Sequence, residues 1–173
     1  MAKIINCEVG EFPEVYVLGK QITVPVPNTS ETNPIPKFWE ECFSDDTFKH
    51  LMEHKEYLFN DAYVGWMSDY SEENGIFAYI CGMLMRSDLT IQVDGFVSRT
   101  IEPETVGIGW IQGTSTPEVC FAAHSLMEKA LTDIGYSCKN PVWCMEVYNC
   151  PRFTQPDENG NIILDYYVPC VQT

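Results

Sequence analysis

Residues 106–148 read VGIGWIQGTSTPEVCFAAHSLMEKALTDIGYSCKNPVWCMEVY, and this stretch decides the fold. It opens with a strand at 106–111. Thr116-Pro117-Glu118 then marks a helix start, with a capping hydroxyl, a proline in the first turn and an acid beside the helix dipole. The helix runs to Gly135, a residue suited to a C-terminal stop. Residues 142–148, VWCMEVY, form the next strand.

Moving outward, residues 162–171 (IILDYYVPCV) are a last strand, preceded by the turn PDENGN. Upstream, residues 14–26 (EVYVLGKQITVPV) are rich in β-branched and aromatic residues and read as a strand. Residues 27–36 are a Pro/Asn/Ser/Thr-rich loop. From Pro36 to about His54 the apolar residues recur at three- and four-residue steps, giving an amphipathic helix with a break near Ser44-Asp45-Asp46. Residues 62–67 (AYVGWM) and 76–85 (IFAYICGMLM) read as a hairpin, the second strand buried. Residues 96–100 join 106–111 in one interrupted strand region. The order is strand, helix, strand, strand, twice over. We therefore expect an α+β fold of two βαββ modules in pseudo-two-fold tandem, about 1–88 and about 94–173. It would have an antiparallel sheet, two main helices and a central ligand cleft, since one such module alone is a marginal domain.

Composition narrows the function. The 173 residues carry 10 Lys+Arg against 25 Asp+Glu, a formal charge of −15. That charge repels nucleic-acid phosphates, and no basic patch offsets it. No run of ~18 apolar residues suggests a membrane span, and the N-terminus lacks the pattern of a signal peptide. The eight cysteines include no C-x-x-C and read as reduced thiols of a cytoplasmic protein. No nucleotide loop or common hydrolase signature is present, and no cofactor or metal is expected.

Glu146 is the most informative residue. Strand alternation puts Val142, Cys144, Glu146 and Tyr148 on one face of a segment with no other charge. A carboxylate there is partly buried and needs a partner. That partner is either a structural hydrogen bond, or a cationic ligand or a proton to be moved. Trp66 and Trp143 recur at matching places in the two halves, as do Tyr79 and Tyr167. Rings around one acid make a pocket for an organic cation. Cys120 and His124 lie one helical turn apart, too little to define a nucleophile.

The ordered motifs VYVLGKQITVPV, IPKFWEECF, YVGW, FAYICGMLM, IEPETVGIGWIQG, WCMEVY and DYYVPCV resemble the effector-binding domains of AraC-type and related multidrug-sensing transcription regulators, the gyrase-inhibitor-like (GyrI-like) superfamily. The likeness spans nearly the whole chain. It implies one effector-binding domain over 1–173 that binds lipophilic, cationic aromatic compounds in a cleft. It implies ligand contacts at Glu146, Tyr148, Trp39, Tyr79 and Tyr167; Trp110, where the family strand more often has a smaller or phenyl residue, and Trp66, for its place matching Trp143, are added as candidate contacts. In the regulators a DNA-binding segment precedes this domain, whereas here the sequence starts within it, so a stand-alone binding protein is expected, open to a protein partner. Two other activities of the superfamily are implied as alternatives: hydrolysis of cyclopropane-type electrophiles, and a gyrase-inhibitor-like protein contact.

Overall fold

The computed structural model describes residues 1–26, 33–139 and 143–173. The loop read at 27–36 lies outside the described residues over 27–32, as does Val142 at the start of its strand. In chain order the elements are β1 (Lys3–Phe12), β2 (Val15–Pro25), α1 (Ile35–Ser44), α2 (Thr47–Glu53), β3 (Leu58–Ser71) and β4 (Ile76–Arg86). There follow β5 (Val97–Ile101), β6 (Glu104–Gly113), α3 (Thr116–Asp133), β7 (Tyr136–Cys138), β8 (Trp143–Val147), α4 (Pro151–Thr154) and β9 (Ile162–Gln172).

The chain divides into two compact units, one of Pro13–Glu102 and one of Met1–Phe12 with Pro103–Thr173. Both are α+β with antiparallel strands. In the first the strand order is β3-β4-β2-β5. In the second it is β8-β9-β6-β1, with β7 also on β9. The βαββ pattern is thus present twice, as β2-α1/α2-β3-β4 and as β6-α3-β8-β9. Each copy gains one outer strand.

In the unit of Pro13–Glu102, α1 buries Phe38 and Cys42, one turn apart, and α2 buries Thr47, Phe48 and Leu51. The break read near Ser44–Asp46 is real. Asp46 takes a left-handed φ of 63°, a conformation that Asp tolerates better than most residues. Asp45 accepts from the Thr47 backbone N–H at 3.1 Å and from its hydroxyl at 2.5 Å, and also from Lys20 Nζ at 2.5 Å. Both helices close onto Leu18, Val24, Tyr79, Cys81, Met83 and Met85 of β2 and β4. Gly19 and Gly82 face each other across β2 and β4. A Cβ on either would overlap backbone atoms of the opposite strand, Cys81 O or Leu18 O.

In the other unit, α3 buries Val119, Ala123, Met127 and Leu131, a stripe at helical spacing. It lies over Gly107, Gly109 and Gly113 of β6. Cβ atoms there would meet Leu131, Met127 and Val119 in turn, so the bare row lets the helix approach the sheet.

Three local readings are corrected. β1 was not recognised, because its alternation is diluted by polar residues and Gly10. Residues 96–100 and 106–111 are not one strand region: β5 pairs with β2, whereas β6 pairs with β1 and β9. Pro103 stands between them and offers no ladder N–H. Finally, the α3 cap residue is Ser115, not Thr116, and it makes no side-chain capping bond. Glu118 instead accepts from the Thr114 N–H at 2.8 Å and the Thr114 hydroxyl at 3.1 Å.

The Met1 ammonium and these Thr114 donors hold the Glu118 carboxyl down, to about 2 from its ordinary 4.5. A depressed carboxyl stabilises the fold fully above its unfolded value and loses that contribution as pH falls through the folded one. Glu118→Gln is therefore expected to lower the thermal midpoint at pH 6. Melting curves of variant and parent should converge as pH drops from about 4.5 towards 2.

Candidate functional site

β8 is five residues long and buried throughout. Glu146, its fourth residue, is 5% exposed. Burying a carboxyl costs free energy unless donors surround it. Tyr148, two residues on, supplies one: its hydroxyl donates to Glu146 Oε2 at 2.5 Å. The Cys120 sulfur of α3 lies 3.3 Å from the same hydroxyl oxygen. Tyr148 has a single proton, already given to Glu146, so the thiol is the donor in that contact. Burial and the neighbouring Glu146 push the Cys120 thiol well up. It stays protonated, as a donor must, and is no thiolate nucleophile.

The register adds a residue the sequence reading passed over. Glu146 stands opposite Tyr166 on β9, and Tyr166 opposite Gly109 on β6. Residues directly opposite share a sheet face, here the face that α3 covers. His124 of α3 meets the Tyr166 hydroxyl through Nδ1 at 3.1 Å. Phe153 of α4 packs edge-on against Tyr148, ring centroids 5.2 Å apart. Tyr148 and Cys120 thus lie at the acid and Tyr166 stands opposite it, with His124 on the Tyr166 hydroxyl and Phe153 against Tyr148. The Cys120–His124 spacing was visible in the sequence. Tyr166 was not, because only the register tells which of Tyr166 and Tyr167 shares a face with Glu146.

Trp110 and Tyr167 lie on the other face of this sheet. Trp110 is opposite Asp165, which is opposite Val147, and Tyr167 is opposite Met145. There Arg152 forms a two-point ion pair with Asp165, Nε to Oδ1 at 2.6 Å and a terminal nitrogen to Oδ2. Its guanidinium also sits 4.3 Å from the Trp110 ring centroid. Phe12 packs against both Trp143 and Tyr167. This face has its own closed packing and leaves Glu146 to the α3 side.

The unit of Pro13–Glu102 gathers a separate set of rings. Trp39 Nε1 donates to the Tyr79 hydroxyl at 2.8 Å. Trp39 stacks on Phe48 at 5.6 Å and 11°, and Phe48 on Tyr63 at 4.1 Å and 23°. Trp39 and Tyr79 are therefore brought together. Trp66 is not with them. It faces Ile80, whose alternation sets it on the opposite side of the sheet from Tyr79, and it is 2% exposed.

Glu146 is thus a buried carboxyl beside tyrosine and thiol groups, on the sheet face that α3 covers over glycines. The Cass2 family, described as integron-associated effector binding protein, matches residues 8–170. The chain belongs to the Cass2 family. The resemblance to GyrI-like effector-binding domains is borne out at that level.

Solved structures similar to this Cass2-family chain share its fold at low identity. The structure of SAV2435 bound to tetraphenylphosphonium is 10% identical, with a TM-score of 0.70 over 96% of this chain and 94% of that one. The integron cassette protein from the mobile metagenome of Vibrio cholerae is 13% identical, with a TM-score of 0.64 over 98% and 99%. The C-terminal domain of EcmrR is 15% identical, with a TM-score of 0.60 over 97% and 98%. No curated protein sequence matches the chain. Among the described residues no helix is long and apolar enough to cross a membrane.

Proposed function

We propose that this chain is an effector-binding protein for lipophilic organic cations, with Glu146 as the counter-charge. The observation that carries the reading is a carboxyl 5% exposed beside the Tyr148 hydroxyl and the Cys120 thiol, with Tyr166 opposite it. A positive, apolar guest suits such an acid in two ways. Its charge is attracted to the carboxyl, and its rings replace water with dispersion contacts. The net charge of −15 raises the local concentration of cations and repels anions. A similar structure holds tetraphenylphosphonium, a guest of that chemistry.

Tyr148 and Tyr166 are the proposed ring contacts beside Glu146. In the unit of Pro13–Glu102, the family resemblance alone proposes Trp39, oriented by its bond to Tyr79. Trp66, Trp110 and Tyr167 drop out of the proposal: Trp66 lies on the sheet face opposite Tyr79 in its own unit, and Trp110 and Tyr167 lie on the face opposite Glu146 and Tyr166 in theirs. We also infer that the chain works in the cytoplasm and acts with a protein partner; one similar structure is the C-terminal domain of EcmrR. Fluorescence titration of the whole chain with tetraphenylphosphonium tests the binding. Saturable one-to-one quenching supports the reading, and a flat response up to millimolar cation removes it.

A further inference from the structure

The cysteines distant from Glu146 form a pattern of their own. Cys138, the last residue of β7, stands opposite Cys170 on β9. The backbone fixes what kind of rung this is. The Lys139 N–H donates to Pro169 O at 2.9 Å and the Thr173 N–H to Gly135 O at 3.0 Å. Hydrogen-bonded rungs alternate with non-hydrogen-bonded ones along an antiparallel pair. Lys139/Pro169 and Gly135/Thr173 belong to the bonded set, so Cys138/Cys170 is a non-hydrogen-bonded rung. At such rungs the α-carbons approach to about 4.5 Å and the side chains leave the same face. Disulfides need α-carbons about 4.4–6.8 Å apart. The backbone already meets that requirement.

We propose that Cys138 and Cys170 are an oxidisable pair that closes a disulfide across the β7–β9 rung, with a low-molecular-weight disulfide as oxidant. Access orders the two steps. Cys138 is partly exposed, whereas Cys170 is buried. The Cys138 thiol loses its proton and attacks one sulfur of the oxidant, forming a mixed disulfide and expelling one thiolate. The Cys170 thiol then loses its proton and attacks the Cys138 sulfur, expelling the second thiolate. Two electrons pass from the cysteine pair to the oxidant, which leaves as two thiols. Burial, then Glu128 and the nearby thiols Cys170 and Cys7, push the Cys138 thiol up to about 11. Exchange is therefore slow at neutral pH, as suits a staple better than a rapid sensor.

Selectivity follows from burial and register. Cys42 and Cys81 are near neighbours but both are 0% exposed, out of reach of a solute. Cys7 stands opposite Gly109, not opposite either partner. The closed loop holds β8 and α4, and hence Glu146 and Tyr148 with their partners. Oxidation would clip down the segment that carries the proposed counter-charge.

The test uses the full chain and bis(2-hydroxyethyl) disulfide at pH 8.5, a neutral oxidant that the −15 charge does not repel. Trypsin leaves Cys138 as the only cysteine of residues 130–139 and Cys170 as the only cysteine of residues 153–173, so a link between these peptides is unambiguous in a non-reducing map. We expect that linked pair, with a thermal midpoint raised by about 5 °C or more and restored by dithiothreitol. Cys170→Ser should lose both the link and the rise. The proposal is overturned if the oxidised chain keeps its native circular dichroism without this link, or if Cys170→Ser shows the same thermal gain. Neither outcome depends on cation binding.

Discussion

Replacing Glu146 with Gln is expected to weaken tetraphenylphosphonium binding by about 30-fold or more. Truncating one side of a buried charge pair costs about 2–5 kcal/mol, and every 1.4 kcal/mol is about tenfold in affinity. Gln keeps the shape of Glu, and its carbonyl still accepts the Tyr148 hydroxyl proton that Glu146 Oε2 accepts now. The empty protein should therefore melt no earlier than the parent, because a buried ionisable group has been removed and no cavity left. Loss of affinity with unchanged melting separates a ligand counter-charge from a residue that only holds β8 in place. An affinity within threefold of the parent would mean that Glu146 is structural.

Gly82→Ala, like Gly19→Ala across from it, is expected to be among the most damaging small substitutions in the chain. The new methyl group would overlap Leu18 O and the Gly19 α-carbon, all backbone, within the β2–β4 pairing. Backbone in the middle of a sheet cannot step aside as a side chain can. We expect a loss of about 3 kcal/mol or more and a melting midpoint lower by roughly 6–12 °C. Two further alanines calibrate the measurement. At Gly109 the obstacle is the flexible end of Met127, and at Gly10 nothing lies within 4 Å. Thermal melts should rank Gly82→Ala far below Gly109→Ala, with Gly10→Ala near the parent. Equal midpoints for all three would show that the close approach of β2 and β4 relaxes without cost.

The elements legible in the sequence were those whose burial is local. β4 is buried at nearly every position, so its apolar run was unmistakable. α3 declares itself through Pro117, Glu118 and the Val119–Ala123–Met127–Leu131 stripe. The α1–α2 break could be read because Asp and Ser favour such corners. β1 is half-exposed along most of its length and exists through its pairing with β6, over 90 residues away in sequence. No local pattern carries that information.

The same division holds for the site. Glu146 and Tyr148 were legible together because one strand's alternation joins them. Trp39 and Tyr79 were named from the family resemblance, and they share a hydrogen bond. Tyr166 and Tyr167 are adjacent, and a one-residue change of register exchanges their faces. Tyr167 was named for its place matching Tyr79 and from the family resemblance. The pairing of Glu146 with Tyr166 sets Tyr167 on the side of Trp110 and Arg152. Trp66 was chosen for its matching place in the other half, a correspondence of position that carries no information about facing.

The central claim is that Glu146 reads positive charge on an aromatic guest. Tetraphenylphosphonium and tetraphenylborate have nearly the same shape and greasy surface but opposite charge. Calorimetric titration of the parent chain with each, at equal ionic strength, isolates the sign of the charge from hydrophobic contact. Saturable binding of the phosphonium is expected, and none of the borate at the same concentrations. Comparable affinities for the two ions would contradict it.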